Sequence, residues 1–183
     1  MSHHVLVSGP SGSGKTHLAQ FFRQRGKNAI DADLSGIGIW IDRDGRPVET
    51  PIGLGRAINR WAEERHLEWT WDDRRLGILL SRDVEVFVFG GSVNVFELAG
   101  RFDRRYYLQA DASLVRSRLT LRRESKERDH DFGSTEAQID YVISRLAHGE
   151  ERAKANGFEL VDAALSTDRL FETICARRPA AGR

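Results

Sequence analysis

The sequence predicts an α/β fold built on a parallel sheet, and three observations carry that prediction. Short apolar runs of strand length alternate with stretches of helical periodicity along the whole chain. Five such runs can be counted, and helical stretches between them supply the crossovers that parallel neighbours need. No internal repeat and no linker rich in Pro, Gly or Ser divides the 183 residues, so one domain over 1–183 is expected. Right-handed crossovers would cover the sheet on both faces.

Each element has its own warrant. Residues 3–8 contain Val5-Leu6-Val7 and stop at Gly9-Pro10, a buried strand. Over 14–25, Leu18, Ala19, Phe21 and Phe22 recur at helical spacing, and Gly26 supplies the stop. Residues 28–31 make a second short strand. Residues 35–51 read as loop, with Ile39-Trp40-Ile41 and the turn Arg43-Asp44-Gly45-Arg46 allowing a small hairpin. A helix over 55–66 carries Ile58, Trp61 and Ala62, and another follows Asp72 with Leu76, Ile78, Leu79 and Leu80. Residues 84–89 give the strongest strand signal, β-branched and aromatic, closed by Gly90-Gly91. A short helix over 93–98, a strand over 106–108 and a helix over 112–123 follow. Beyond the charged stretch 124–134 come a helix over 135–156, a strand over 158–161 and a helix over 168–176.

Composition excludes several classes. The single Cys175 rules out an intrachain disulfide framework and suits a reducing compartment. No apolar run approaches the roughly 20 residues of a membrane helix. Met1-Ser2-His3-His4 lacks a basic region ahead of a long apolar segment, so no secretory signal is expected and the cytoplasm is. With 28 basic and 27 acidic residues the net charge is +1, so bulk charge gives no reason to invoke nucleic acid or an anionic membrane.

Gly9-Pro10-Ser11-Gly12-Ser13-Gly14-Lys15-Thr16 matches the Walker A pattern G-x-x-x-x-G-K-[ST], between a strand and an amphipathic helix. Glycines let backbone N–H groups curl around a phosphate, and the helix N-terminus aims its dipole at the same anion. Gly9, Ser11, Gly12, Ser13, Gly14, Lys15 and Thr16 are therefore expected to hold a nucleoside triphosphate. Lys15 would reach the β- and γ-phosphates, and Thr16 would ligate Mg²⁺. His17, in the first helical turn, is a further candidate phosphate contact.

With this motif the chain resembles the small P-loop kinases, the superfamily of nucleoside monophosphate, shikimate and gluconate kinases, along nearly its whole length. Asp31-Ala32-Asp33 after the second strand is similar to the Asp-x-Asp of shikimate kinases. Gly90-Gly91 stands where those enzymes place a glycine-rich substrate contact, and Arg118, Arg122, Arg123 and Arg128 stand where they carry a lid with arginines. The chain also resembles a group of bacterial kinase-like ATP-binding proteins through Trp40-Ile41-Asp42 with Gly45, the stretch 69–76, Asn94 and Asp131-Phe132-Gly133. That group implies no substrate. The resemblance implies a five-stranded P-loop fold with a lid at about 122–134 and a small acceptor-closing helical region at about 35–82. Two departures stand out. The arginines of the shikimate site have no clear counterparts, and the third strand ends without the usual Walker B acid.

Asp31 and Asp33 lie past a strand end, where a parallel sheet forms its ligand crevice. One carboxylate would hold Mg²⁺ and the other would orient or deprotonate an acceptor hydroxyl. We assign Asp31 to the metal and Asp33 to the acceptor, with the exchange of roles open. Arg118 and Arg122 share a helix face at i, i+4. Arg118 is assigned to the nucleotide, and Arg122 and Arg128 to the charge of the transferring phosphoryl group. The tryptophans Trp40, Trp61, Trp69 and Trp71 form either core packing or an aromatic wall for the acceptor. Asn94 either bonds the acceptor or caps a helix. Asp131-Phe132-Gly133 lacks the other protein-kinase signatures and reads as a lid-to-helix turn. Residues 162–167 would meet adenine through their backbone, as the resemblance implies.

The expected activity is ATP- and Mg²⁺-dependent phosphoryl transfer from a nucleoside triphosphate to a small-molecule acceptor, by a monomer or homodimer. The alternative is a nucleotide-binding regulatory switch or slow ATPase acting on a protein partner.

Overall fold

The computed structural model describes residues 3–54, 57–125, 133 and 135–176. Five strands form the main sheet: β1 (His4–Ser8), β2 (Ala29–Asp31), β6 (Val86–Phe89), β7 (Arg104–Gln109) and β8 (Glu159–Asp162). Their spatial order is β2-β6-β1-β7-β8 and every pairing is parallel. β1 lies at the centre, and all five of its residues are buried. A strand with neighbours on both edges and helices on both faces has no solvent side, which is why it reads as an unbroken apolar run.

Side-chain alternation splits the core in two. On one face Val5, Val7, Phe87, Phe89 and Leu108 meet α1 (Lys15–Gln24), α4 (Ala112–Ser125), α5 (Glu136–Ser144) and α7 (Thr167–Cys175). Phe22 of α1 is its hub, with ring centroids 5.1 Å from Phe87 and 4.7 Å from Phe171. On the other face Leu6, Val88 and Tyr107 pack with Trp71, Leu76, Val95, Phe102 and Phe158. Ala153 of α6 (Leu146–Ala155) joins this second layer.

Three findings depart from the sequence expectation, and one decides between alternatives. The region 35–82 is not purely helical. It holds β3 (Gly38–Ile41), β4 (Pro47–Val48) and β5 (Glu68–Trp71) in an antiparallel sheet of order β4-β3-β5, with α2 (Ile58–Glu64) and α3 (Asp73–Leu80). Gly38 makes the sheet possible, because a β-carbon there would overlap the Trp69 ring. The helix expected over 93–98 is a run of turns leading to a 3-10 turn at Leu98–Arg101. The helix expected over 135–156 is two helices broken at Arg145. Of the tryptophans, Trp71 is core at 1% exposure. Trp40 packs edge-on against Trp61 and Trp69. Among the described residues, no helix is long and apolar enough to cross a membrane.

Candidate active site

The loop between β1 and α1 lies at the carboxyl end of the central strand. Its geometry explains its residues. Gly14 caps α1 with φ 97°, a left-handed conformation costly for any other residue. A β-carbon on Gly9 would come 2.9 Å from the Leu108 carbonyl of β7, so the loop is seated directly on the neighbouring strand. The α1 N-terminus has no side-chain cap. Its first N–H groups stay available to an anion.

The Lys15 ammonium donates to the carbonyls of Gly9 (2.7 Å) and Pro10 (2.8 Å). Burial lowers its pKa to about 8; Asp33 and Asp31 oppose that shift and Arg122 adds to it. Lys15, Asp33, Arg122 and Asp31 are thus close enough to share one electrostatic field.

Asp31 ends β2, is 5% exposed, and accepts from the Asp33 N–H through Oδ1 at 3.1 Å. Its Oδ2 is buried without a hydrogen-bond partner, and so is the Ser13 hydroxyl in the loop. Asp33 is exposed, and its Oδ1 accepts from the Trp69 indole N–H at 3.1 Å. Gly90 lies against the same spot: a β-carbon there would meet Trp71 and Ala32 at 2.8 and 3.0 Å, and the Asp33 Oδ1 at 3.6 Å.

Arg118 makes three bonds, all to backbone carbonyls. It donates to Ser13 (3.0 Å), weakly to Gly12 (3.5 Å), and to Ala163 beyond β8 (3.0 Å). One guanidinium therefore ties the phosphate loop to the loop expected to meet adenine. Arg122, one turn along α4, is partly buried near Lys15. Arg123 instead pairs with Glu136 at 3.2 Å, and Arg116 pairs with Glu136 and Asp140, bracing α4 against α5. Thr16 is partly buried in the first turn of α1, and His17 beside it is exposed. Ser11 is partly exposed in the loop. Arg128 and Asp131-Phe132 lie outside the described residues.

The Asn94 side chain caps no helix among the described residues. Its side chain accepts from the Trp71 N–H and donates to the Trp71 carbonyl, both at 3.0 Å, so it holds the end of β5 as a neighbouring strand would. Sequence reasoning missed two features. Trp69 as the partner of Asp33 left no local signal, since the pair is far apart in the chain. Arg145, His148 and Arg152 stand at i, i+3 and i+7, a basic helical stripe beside Pro10 and Ser11. Its spacing was readable, but basic helix faces are ordinarily solvated.

The donor set fits a nucleotide with Mg²⁺. The orphaned Asp31 Oδ2 and Ser13 hydroxyl are buried polar atoms at the loop, and buried polar atoms normally have partners. Among the described residues no cluster of three or more His, Cys, Asp or Glu could cage a metal by itself. Mg²⁺ bound by one or two carboxylates plus substrate phosphates needs no such cage.

The family model described as AAA domain matches residues 5–139. No curated protein matches the chain. Among solved structures, shikimate kinase from Acinetobacter baumannii in complex with shikimate is similar at a TM-score of 0.56 and 15% identity. That match covers 95% of this chain and 93% of the other. A gluconokinase from Sinorhizobium meliloti 1021 is similar at 0.51 and 17%, covering 94% and 89%. Deoxyadenosine kinase from M. mycoides with bound dATP is similar at 0.52 and 13%, covering 93% and 96%. The main sheet flanked by helices is the fold of the P-loop kinases.

Proposed function

The chain belongs to the AAA-domain family and has the fold of the P-loop kinases, and on that premise we propose that it transfers the γ-phosphoryl group of ATP to a small-molecule acceptor with Mg²⁺. The observation that carries this is the gathering of Lys15, Asp31, Asp33 and Arg122 at the mouth of the phosphate loop. The three kinases of similar fold act on small molecules, which supports that class of acceptor.

The roles follow from position. Gly9, Ser11, Gly12, Ser13 and Gly14 would wrap the phosphates with backbone N–H groups, and His17 stands beside them on the exposed side of α1. Thr16 and Asp31 would hold the metal, Asp31 through its unpartnered Oδ2. A magnesium ion held by these residues would supply positive charge against the charge that develops on the transferring group. Lys15 would hold the terminal phosphates, and Arg122 would stabilise the equatorial oxygens of the transferring group. Asp33, oriented by Trp69, would align the acceptor hydroxyl and accept its proton. Arg118 would keep the phosphate loop and the 162–167 loop at a fixed separation. In this scheme residues 35–82 would close over the acceptor, and the lid expected at about 122–134, most of which lies with Arg128 outside the described residues, would exclude water. The enzyme would act on soluble substrates in the cytoplasm, as a monomer or homodimer.

A second reading has one observation of its own: β6 ends in Phe89-Gly90-Gly91, with no acid at the Walker B place. A regulatory switch or slow ATPase needs no acceptor. ADP release from ATP and Mg²⁺, measured across nucleosides, nucleoside monophosphates, shikimate, gluconate, dephospho-coenzyme A and amino sugars, separates the two. Stimulation by one acceptor, abolished in Lys15→Ala, is the expected result. Slow turnover unaffected by every acceptor would overturn it in favour of the switch.

A further inference from the structure

Thr135-Glu136-Ala137-Gln138 opens α5 with the pattern of a capping box, Thr at the N-cap and Gln three residues on. The Thr135 hydroxyl accepts from the Gln138 N–H at 3.2 Å. The Gln138 side chain divides its two ends between two parts of the chain. Its Oε1 accepts from the Gly133 N–H at 3.1 Å, and its Nε2 donates to Glu63 Oε1 of α2 at 2.8 Å. A glutamate at 138 would accept from Gly133 equally well and suit the helix dipole better. It could not donate, and an amide can. The bond to Glu63 is what glutamine adds at this position.

That bond joins the two sides of the site. Gly133 and Gly12 lie against the same buried side chain: a β-carbon on Gly133 would come 3.0 Å from Leu119, and one on Gly12 3.2 Å. Leu119 of α4 thus seats Gly133 and the phosphate loop together. On the other side, Trp61 stands two residues before Glu63 and packs 6.3 Å from Trp40. Trp40 packs 5.1 Å from Trp69, the partner of Asp33. The path from Gly12 to Asp33 is continuous, and the Gln138–Glu63 bond is its joint at the surface.

The element that can change state is α2. It has seven residues and no side-chain cap at its N-terminus. A helix that short holds only where it is docked. Trp61 and Ala62 supply its buried face, and Glu63 ties it to α5. We propose that Gln138 is a positioning residue that fastens α2 to the phosphate-loop side of the site, so that nucleotide binding firms the docking of α2 and of the tryptophans behind it. The coupling is reciprocal, so loosening α2 weakens nucleotide binding. The inference goes beyond the kinase reading, because it needs only that the loop binds a nucleotide.

The probe is a non-hydrolysable ATP analogue with Mg²⁺, and neither readout needs turnover. Hydrogen exchange follows the α2 amides. Acrylamide quenching follows the tryptophans, all four of which lie within residues 40–71. In wild type the analogue should slow exchange in α2 about threefold or more and shield the tryptophans. Gln138→Glu keeps the acceptor for Gly133 and sets two carboxylates face to face. Both responses should vanish while the analogue still binds. Adding Glu63→Gln to that variant restores donor and acceptor in exchanged order, and both responses should return. Glu63→Gln alone retains a neutral hydrogen bond and should keep most of them. The thermal midpoint of Gln138→Glu should stay within about 2 °C of wild type, which separates a lost joint from a lost helix. No response in wild type with analogue bound, a response that survives Gln138→Glu, or a loss that the double variant fails to recover overturns the proposal and leaves the kinase reading standing. An analogue that does not bind wild type at all overturns both.

Discussion

Replacing Lys15 with methionine should stabilise the nucleotide-free protein at neutral pH while destroying its affinity for nucleotide. The fall of the Lys15 pKa from 10.5 to about 8 measures how poorly the fold accommodates this ammonium without an anion. A fall of that size corresponds to about 3 kcal/mol. Solvent at the loop mouth trims this to about 1–2 kcal/mol, since the side chain is only partly buried. Below about pH 8 folded and unfolded chains both carry the proton, and the penalty is fully present. Between about 8 and 10.5 the unfolded chain keeps a proton that the folded chain has shed, so wild-type stability rises with pH. Thermal unfolding from pH 7 to 10 should therefore show Lys15→Met a few degrees above wild type at pH 7. The gap should close towards pH 10. Calorimetric titration with ADP at pH 8.5, in buffers of different ionisation enthalpy, should show wild type taking up most of one proton on binding. A Lys15→Met protein less stable than wild type at pH 7 would refute the reasoning. It would mean that the bonds to the Gly9 and Pro10 carbonyls outweigh the cost of burying the charge.

Other substitutions test separate parts of the site. Asp31→Asn should raise the Mg²⁺ concentration needed for ADP formation about tenfold or more, with metal-free nucleotide binding retained. Asp33→Asn should lower kcat about a hundredfold with little change in ATP affinity, and Trp69→Phe should give a milder loss of the same kind. Arg118→Ala removes charge-assisted bonds to three carbonyls and should cost about 2–4 kcal/mol in denaturant unfolding, with a parallel loss of nucleotide affinity. Phe22→Ala empties the hub of the larger core and should cost about 3–5 kcal/mol.

The main sheet was legible because its physics is local. Val5-Leu6-Val7 and Val86 to Phe89 are apolar at every position, as strands covered on both faces must be. The phosphate loop was legible for the same reason, since its glycines, Lys15 and the following helix are contiguous. The second sheet was not. β4 has two residues, and β5 is recognisable only through its pairing with β3 and the seat that Gly38 offers Trp69. The break at Arg145 carries neither Pro nor Gly, and apolar periodicity runs through it from Ile139 to Ala153. Arg118 and Arg122 could be placed on one face by spacing alone. That Arg123 turns instead to Glu136 depends on where α5 packs, which no local pattern encodes. Asn94 acts on Trp71, 23 residues away, to finish a strand end that only the folded chain possesses.

The three bonds of Arg118 end on carbonyl oxygens, which every amino acid carries. The tie is therefore blind to the side chains at Gly12, Ser13 and Ala163. Drift at the two non-glycine positions leaves it intact wherever the backbone path is kept. No other residue at position 118 offers a planar fork wide enough to reach both loops. Evolutionary constraint on the link between the loop after β1 and the loop after β8 thus falls almost wholly on one residue. Among divergent relatives, position 118 should stay arginine while the loops it joins lose every sequence trace of their partnership.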